Sequence, residues 1–533
     1  MDGDYFERVR CRRCDERKMV AMNEIRSQSF PASRSSQNPA RAFFIVLVFS
    51  AGWLASPFVA SAQDGGFHSA LSNFFAKLPD PHATAGACIV DLESGKIVFE
   101  HHADAPMVPA STMKVFVMAA ALVYLGPEFV FDTVLASNGK DLIVLGDGDP
   151  GFGDEKIQNT RGQSVTSDFK RWAASLRQRG FPSIPGDLLI DESIFDEQRL
   201  HPTWEKSDLD NWYAAPVSGL SINGNCVDIT VSPGGRHTSC QVSVQPPNSL
   251  VRIVNQCRSG GKGEPVLNHK AESFDYVVSG SCSRPYPLGS ASFPDPGLLF
   301  ADSLRTVLKA EGITISGEIR RHRVRNTDGT LPMGLTIIDR RKTSLADVLP
   351  RIGKDSQNLF AECLLKRSGF AFAHTLGDQQ PQGTWDTGRA AIHATMAKAG
   401  VSDSALIVAD GSGLSRDNRC TARQLASILA WVDRGPDAKM FRDSLSIAGK
   451  DGSLRKRMHD VHGRVVAKTG TIRGVRSLAG YVDAINGRRY AFAILFNGFK
   501  GSTAPYKEIQ ERVCRVLVGT SQAHPARTKT ARR

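Results

Sequence analysis

Pro109-Ala110-Ser111-Thr112-Met113-Lys114, running on into Val115-Phe116-Val117-Met118-Ala119-Ala120-Ala121-Leu122, is the stretch on which the reading of this chain turns. An apolar run of this length, introduced by Pro109-Ala110, predicts a buried helix over Ser111 to Leu125. A serine and a lysine three residues apart at its start share one helix face, so the amine can reach the hydroxyl. A serine hydroxyl is a weak nucleophile until a neighbour takes its proton. Apolar neighbours desolvate the lysine and lower its pKa, which turns it into a usable base. The helix start adds partial positive charge and a free Ser111 N–H, half of an oxyanion hole. Alone, such a serine would read as an N-cap.

Working outward, two further motifs complete the equipment for acyl transfer. Ser356-Gln357-Asn358 stands directly before a second helical run, Leu359-Phe360-Ala361-Glu362-Cys363-Leu364-Leu365. Ser356 is placed to shuttle a proton to a leaving amine, and the Asn358 amide to hold substrate or Lys114. Lys468-Thr469-Gly470-Thr471 lies on a predicted strand whose edge would face the cleft. Lys468 and Thr469 would bind a substrate carboxylate, Gly470 would leave room for a backbone-like ligand, and the Thr471 N–H would complete the oxyanion hole. Competing Ser-x-x-Lys copies at Ser259–Lys262 and Ser453–Lys456 lack the helix start. Gly146-Asp147-Gly148-Asp149-Pro150-Gly151 fits a dinucleotide pattern, yet its aspartates would repel a pyrophosphate; a tight turn is the reading.

Gly86–Leu92 and Lys96–Glu100 predict a hairpin, and Arg464–Thr471, Ser477–Ala484 and Arg489–Phe496 predict three strands before a helix over 503–518. Strands at both ends with helices between them imply one antiparallel sheet, an α+β fold. Residues 133–334 have another texture, short strands and turns with helices near 166–180 and 298–311, and read as one or two inserted β-rich domains. The catalytic body is then 63–132 plus 335–519.

The net charge is +12. Much of it sits at the ends, in the first 62 residues and in a tail (520–533) carrying Arg527, Lys529, Arg532 and Arg533, read as basic and disordered. No basic stripe with interleaved aromatics appears, which argues against a nucleic-acid partner. Arg26, Arg34 and Arg41 precede the apolar run Ala42–Phe49, and Ala60-Ser61-Ala62 fits a cleavage site, so residues 1–62 read as an export signal and the destination as the periplasm. Translation starting at Met22 would remove the Cys11/Cys14 pair. At most peripheral membrane contact is expected. Among Cys88, Cys226, Cys240, Cys257, Cys282, Cys363, Cys420 and Cys514, some can pair after export. No cluster has metal-ligand spacing, so neither metal nor cofactor is expected.

The three motifs, with the flanks Asp410-Gly411-Ser412-Gly413-Leu414-Ser415, Asp451-Gly452-Ser453-Leu454 and Ala467-Lys468-Thr469-Gly470-Thr471, resemble the active-site set of the penicillin-binding proteins and serine β-lactamases. The long interval between Ser111 and Ser356 resembles the class C low-molecular-mass group, the D-alanyl-D-alanine carboxypeptidase/endopeptidase family. The resemblance implies a penicillin-binding fold, an acyl-enzyme on Ser111, peptidoglycan stem peptides as substrate and β-lactams as covalent inhibitors. It further implies an acidic residue of the insert facing the substrate's side-chain amine, for which Asp208 is the positional match. Carboxypeptidase and endopeptidase action both stay open here. So do a serine β-lactamase on the same fold and a non-catalytic penicillin-binding sensor or wall-binding protein.

Overall fold

A six-stranded, wholly antiparallel sheet is assembled from the two ends of the chain. In the computed structural model, which describes residues 62–519 apart from 236, 237, 262 and 271, its order is Ser446–Ile447, β3 (Val465–Ile472), β4 (Val475–Asp483), β5 (Arg489–Asn497), β1 (Thr84–Asp91) and β2 (Ile97–His101). The hairpin and the three late strands are those expected from the sequence. The expected export signal (save Ala62), Cys11, Cys14, Lys262 and the basic tail lie outside the described residues. None of the described helices is long and apolar enough to cross a membrane.

The central strands are apolar on both faces because both are covered. Strand periodicity of two sends alternate side chains to opposite sides. Val90, Ala479, Tyr481, Ala493 and Leu495 join one core with α1 (Lys114–Tyr124), α2 (Asn358–Thr375), α3 (Trp385–Lys398) and α4 (Ala422–Asp433). Ile89, Leu478, Phe492, Ile494 and Phe496 join another core with helices Ala62–Ala76 and Ala504–Val518. Thr421 starts α4 with a capping box, its hydroxyl accepting from the Gln424 N–H. The α1 helix is surrounded: Val115, Phe116, Val117, Met118 and Ala119 are all buried. Its continuous apolar run is explained by helices on all sides.

The intervening chain is β-rich as expected, and its principal sheet is mixed. That sheet runs Ile319–Arg321, Leu188–Asp191, Leu142–Leu145, Val130–Ser137, Thr336–Ser344, with its first two neighbour pairs parallel. Its last two strands pair antiparallel; Val130–Ser137 spans position 133, and Thr336–Ser344 begins two residues after position 334, the two positions named as domain boundaries. The Gly146–Gly151 segment is a buried turn whose Asp149 accepts from Thr343 Oγ1 at 2.6 Å. Cys240 and Cys257 bring their sulfurs to 3.2 Å; the eight described cysteines are free and buried.

Leu364 on α2 is fully buried in the core shared with α1. Leu364→Ala is expected to cost about 2–5 kcal/mol, read as a lower denaturation midpoint; an unchanged midpoint would mean that this interface does not hold the fold.

Candidate active site

Ser111 does not lie in α1 itself. It sits in the 3₁₀ turn Ala110–Met113 that feeds Lys114 into the helix. Ala110 takes φ = +47°, a left-handed conformation that is costly for a residue with a Cβ. Two glycines make the turn possible. A Cβ on Gly413 would stand 1.9 Å from the Ala110 carbonyl oxygen, and one on Gly470 would stand 2.8 Å from the Pro109 oxygen and 3.0 Å from the Ser111 nitrogen. The close approach that Gly470 permits is therefore that of the Ser111 turn, not of a ligand.

Lys114 is completely buried. Its Nζ donates to Ser111 Oγ at 3.1 Å, to Asn358 Oδ1 at 2.8 Å and to the Ser412 carbonyl at 2.6 Å. Burial pulls its pKa down to about 7, against the upward pull of Glu362 and Asp410. Asn358 is oriented from its other side, donating Nδ2 to the Tyr213 carbonyl at 2.7 Å. Those two partners leave one choice of amide orientation.

Lys468 is also fully buried. Its ammonium donates to Ser356 Oγ at 2.8 Å and to the Thr469 carbonyl at 2.9 Å, so it stands behind Ser356 and does not open onto solvent as a carboxylate anchor would. Burial, then the nearby Lys114 charge, hold its pKa well below the lysine range. Ser356 itself has φ = +61°, a second strained residue at the same site.

A cleft of about 570 Å³ opens over this arrangement. Ser111, Ser356, Asn358, Thr471 and Asp208 line it together, with Glu205, Trp212, Tyr213, Arg416 and Arg473. Asp208 accepts the Tyr213 hydroxyl at 2.9 Å. Lys114 and Lys468 lie one layer deeper. Thr469 Oγ1 donates to Ser453 Oγ at 2.8 Å, and Thr469 is not among the residues lining the cleft. Ser453 also pairs with Ser446 and its Lys456 is exposed, so that Ser-x-x-Lys copy is structural. Among the described residues no group of three or more His, Cys, Asp or Glu side chains could hold a metal ion.

Sequence reasoning assigned no role to Glu362 or Asp410, both fully buried beneath Lys114. The signal was present: an acid inside the apolar run Leu359–Leu365 demands a partner.

Comparison with known proteins places this geometry in context. The model of the D-Ala-D-Ala carboxypeptidase 3 (S13) family matches residues 67–517. A D-alanyl-D-alanine carboxypeptidase from an Actinomadura species is 28% identical over 480 residues, 84% of each chain. D-alanyl-D-alanine carboxypeptidase DacB of Haemophilus influenzae is 27% identical over 457 residues, covering 80% of this chain and 88% of the relative. The crystal structure of penicillin binding protein 4 (dacB) from Haemophilus influenzae shares the fold, with a TM-score of 0.69 at 24% identity over 84% of this chain and 99% of that one.

Gly413→Ala is expected to push the Ser111 turn out of place and to slow modification of Ser111 by a serine-directed acylating agent about a hundredfold or more. Mass-resolved labelling rates check this; wild-type labelling would show that the Gly413 contact does not position the serine.

Proposed function

We propose, from the premise that this chain belongs to the D-Ala-D-Ala carboxypeptidase 3 (S13) family, that it cleaves the D-Ala–D-Ala bond of peptidoglycan stem peptides through an acyl-enzyme on Ser111. The observation that carries this reading is the buried Lys114 Nζ at 3.1 Å from Ser111 Oγ. In the proposed sequence, Ser111 Oγ attacks the penultimate D-Ala carbonyl as its proton passes to Lys114. The Ser111 and Thr471 amides receive the developing oxyanion. The C–N bond then breaks, and the leaving amine takes a proton through Ser356, with Lys468 behind it supplying the relay. Water attacks the ester by the reverse path, restoring Ser111. Nothing in this cycle requires a metal.

The leaving amine is free D-alanine in carboxypeptidase action and a cross-linked peptide in endopeptidase action; the acyl-enzyme is common to both. Asp208 and Tyr213 at the insert edge suit a substrate amine. With Lys468 buried, the terminal carboxylate falls to the cleft-facing Thr471 and to Arg473, which is 85% exposed in its side chain. A β-lactam offers Ser111 a strained amide carbonyl in place of the peptide's, so penicillins should acylate it. The periplasmic location follows from the export-signal pattern and from where such a substrate lies.

The decisive experiment is incubation with purified muropeptides, with products read by mass. Steady release of D-alanine or of cleaved cross-links, abolished in Ser111→Ala, is expected. Rapid penicillin turnover without D-alanine release would favour the β-lactamase alternative, and acylation without any release the non-catalytic one.

Because Lys114 accepts a proton only as the free amine, acylation should rise with pH through about 7, far below the roughly 10.4 of free lysine. Stopped-flow acylation against pH tests it; a rise only near the free-lysine value would remove Lys114 as base. For the carboxylate, Arg473→Ala should cut the preference for a free over an amidated C-terminus by about tenfold, the value of a modest charge-assisted contact. The ratio of kcat/KM for the two peptides decides it; an unchanged ratio places the carboxylate elsewhere.

A further inference from the structure

Beneath the cleft lies a pair of buried acids that the reaction above does not use. Glu362 on α2 and Asp410 in the loop before α4 are both fully buried. Glu362 accepts from the Gly411 N–H at 2.9 Å, the Ser412 N–H at 2.7 Å and Trp385 Nε1 at 2.9 Å. Asp410 accepts from the Gly413 N–H at 2.8 Å, the Ser415 N–H at 2.7 Å, Asn418 Nδ2 at 2.7 Å and Trp204 Nε1 at 2.8 Å. Between them the two carboxylates hold the amides of residues 411, 412, 413 and 415 of this loop. That loop presents the Ser412 carbonyl to Lys114 Nζ at 2.6 Å, the shortest of the lysine's three contacts.

Shape alone does not call for two anions. Neutral amides could accept several of these bonds, whereas desolvated carboxylates are expensive unless their charge is matched. Cations are at hand. Lys114 faces the acids from α1, and Lys366, on α2, stacks its Nζ 3.7 Å from the centre of the Trp385 ring that bonds Glu362. We infer that Glu362 and Asp410 are positioning residues for the general base, aiming the Ser412 carbonyl at Lys114 and setting by their charge how strongly Lys114 holds its proton. This rests on the proposed role of Lys114.

Other charged groups bear on the same cluster. His201 stands near Asp410, Arg389, Lys366 and Asp417, Asp196 accepts from Lys366 Nζ at 2.5 Å, Lys468 opposes Lys114 from β3, and Asp355 offsets Lys468. Burial and the neighbouring Asp410 push Glu362 upward, so its charge is sensitive to each of its three donors.

The test is the acylation rate of Ser111 by a chromogenic penicillin from about pH 5 to about pH 10 in the wild type, Glu362→Gln, Glu362→Asp and Trp385→Phe. An adjacent anion favours the ammonium, so its removal lowers the lysine pKa. Glu362→Gln should move the acid-limb midpoint down by about one pH unit or more and lower the plateau. Glu362→Asp, which keeps the charge, should hold the wild-type midpoint while losing rate. Trp385→Phe removes one donor and keeps the ring over Lys366; it should shift the midpoint the same way by less. A lowered plateau with an unmoved midpoint in Glu362→Gln would reduce the acids to loop scaffolding and overturn the inference. Should that variant not fold, an unmoved midpoint in Trp385→Phe together with a displaced one in Glu362→Asp does the same. A wild type with no acid limb near neutrality fails separately, because it removes Lys114 as base and the inference with it.

Discussion

A single ammonium placed where water cannot reach it organises this site. Lys114 spends its three donors on Ser111, Asn358 and the Ser412 carbonyl, which come from three separate segments of the chain. A buried lysine must satisfy its hydrogen bonds or leave the interior, so these three segments are tied to one atom. In the proposed mechanism, desolvation that would otherwise be a liability is what suits the amine to act as a base near neutrality. The apolar α1 helix, the acids beneath it and the hydroxyls above it follow from that requirement.

The same constraint explains where backbone strain is concentrated. Ala110 and Ser356 both adopt left-handed backbone conformations, and both flank the reacting hydroxyls. Each is held by close contact: Ala110 by Gly413 and Ser356 by Lys468. Strain of this kind persists only when the surroundings over-determine it. Here the surroundings are β3 at Gly470 and the 411–415 loop, whose glycines leave room for the Ser111 turn.

Much of this was legible in the sequence, and the failures share a cause. Ser111, Lys114, Ser356 and Asn358 announce themselves because the local spacing that places them on helix starts is also the spacing that brings them together. The sheet is readable because its strands alternate or run apolar between turns. Lys468 lies on the expected strand, but strand periodicity gives direction and not depth, and its buried ammonium meets Ser356. Thr469 follows from the same alternation, since it points away from its neighbour. Gly470 was expected to make room for a ligand; the structure fills the space beside it with the Ser111 turn, which sequence cannot distinguish. Glu362 and Asp410 escaped because a buried acid becomes meaningful only when the cation it faces is known.

Depth then sorts the site by charge. Carboxylates lie lowest, the two lysines above them, and hydroxyls with a mixed rim of Asp208, Glu205, Arg416 and Arg473 line the opening. Burial and then the Lys114 charge depress Lys468, while Glu362 and Asp410 below favour the charge on Lys114. The layering lets one lysine be neutral while the other retains a proton, a difference that a base and a proton relay both need. The insert closes the arrangement, with Tyr213 fixing Asn358 and Trp204 fixing Asp410. A chain segment that looks peripheral in sequence thus bonds to Asp410 in the acid layer and to Asn358, a partner of Lys114.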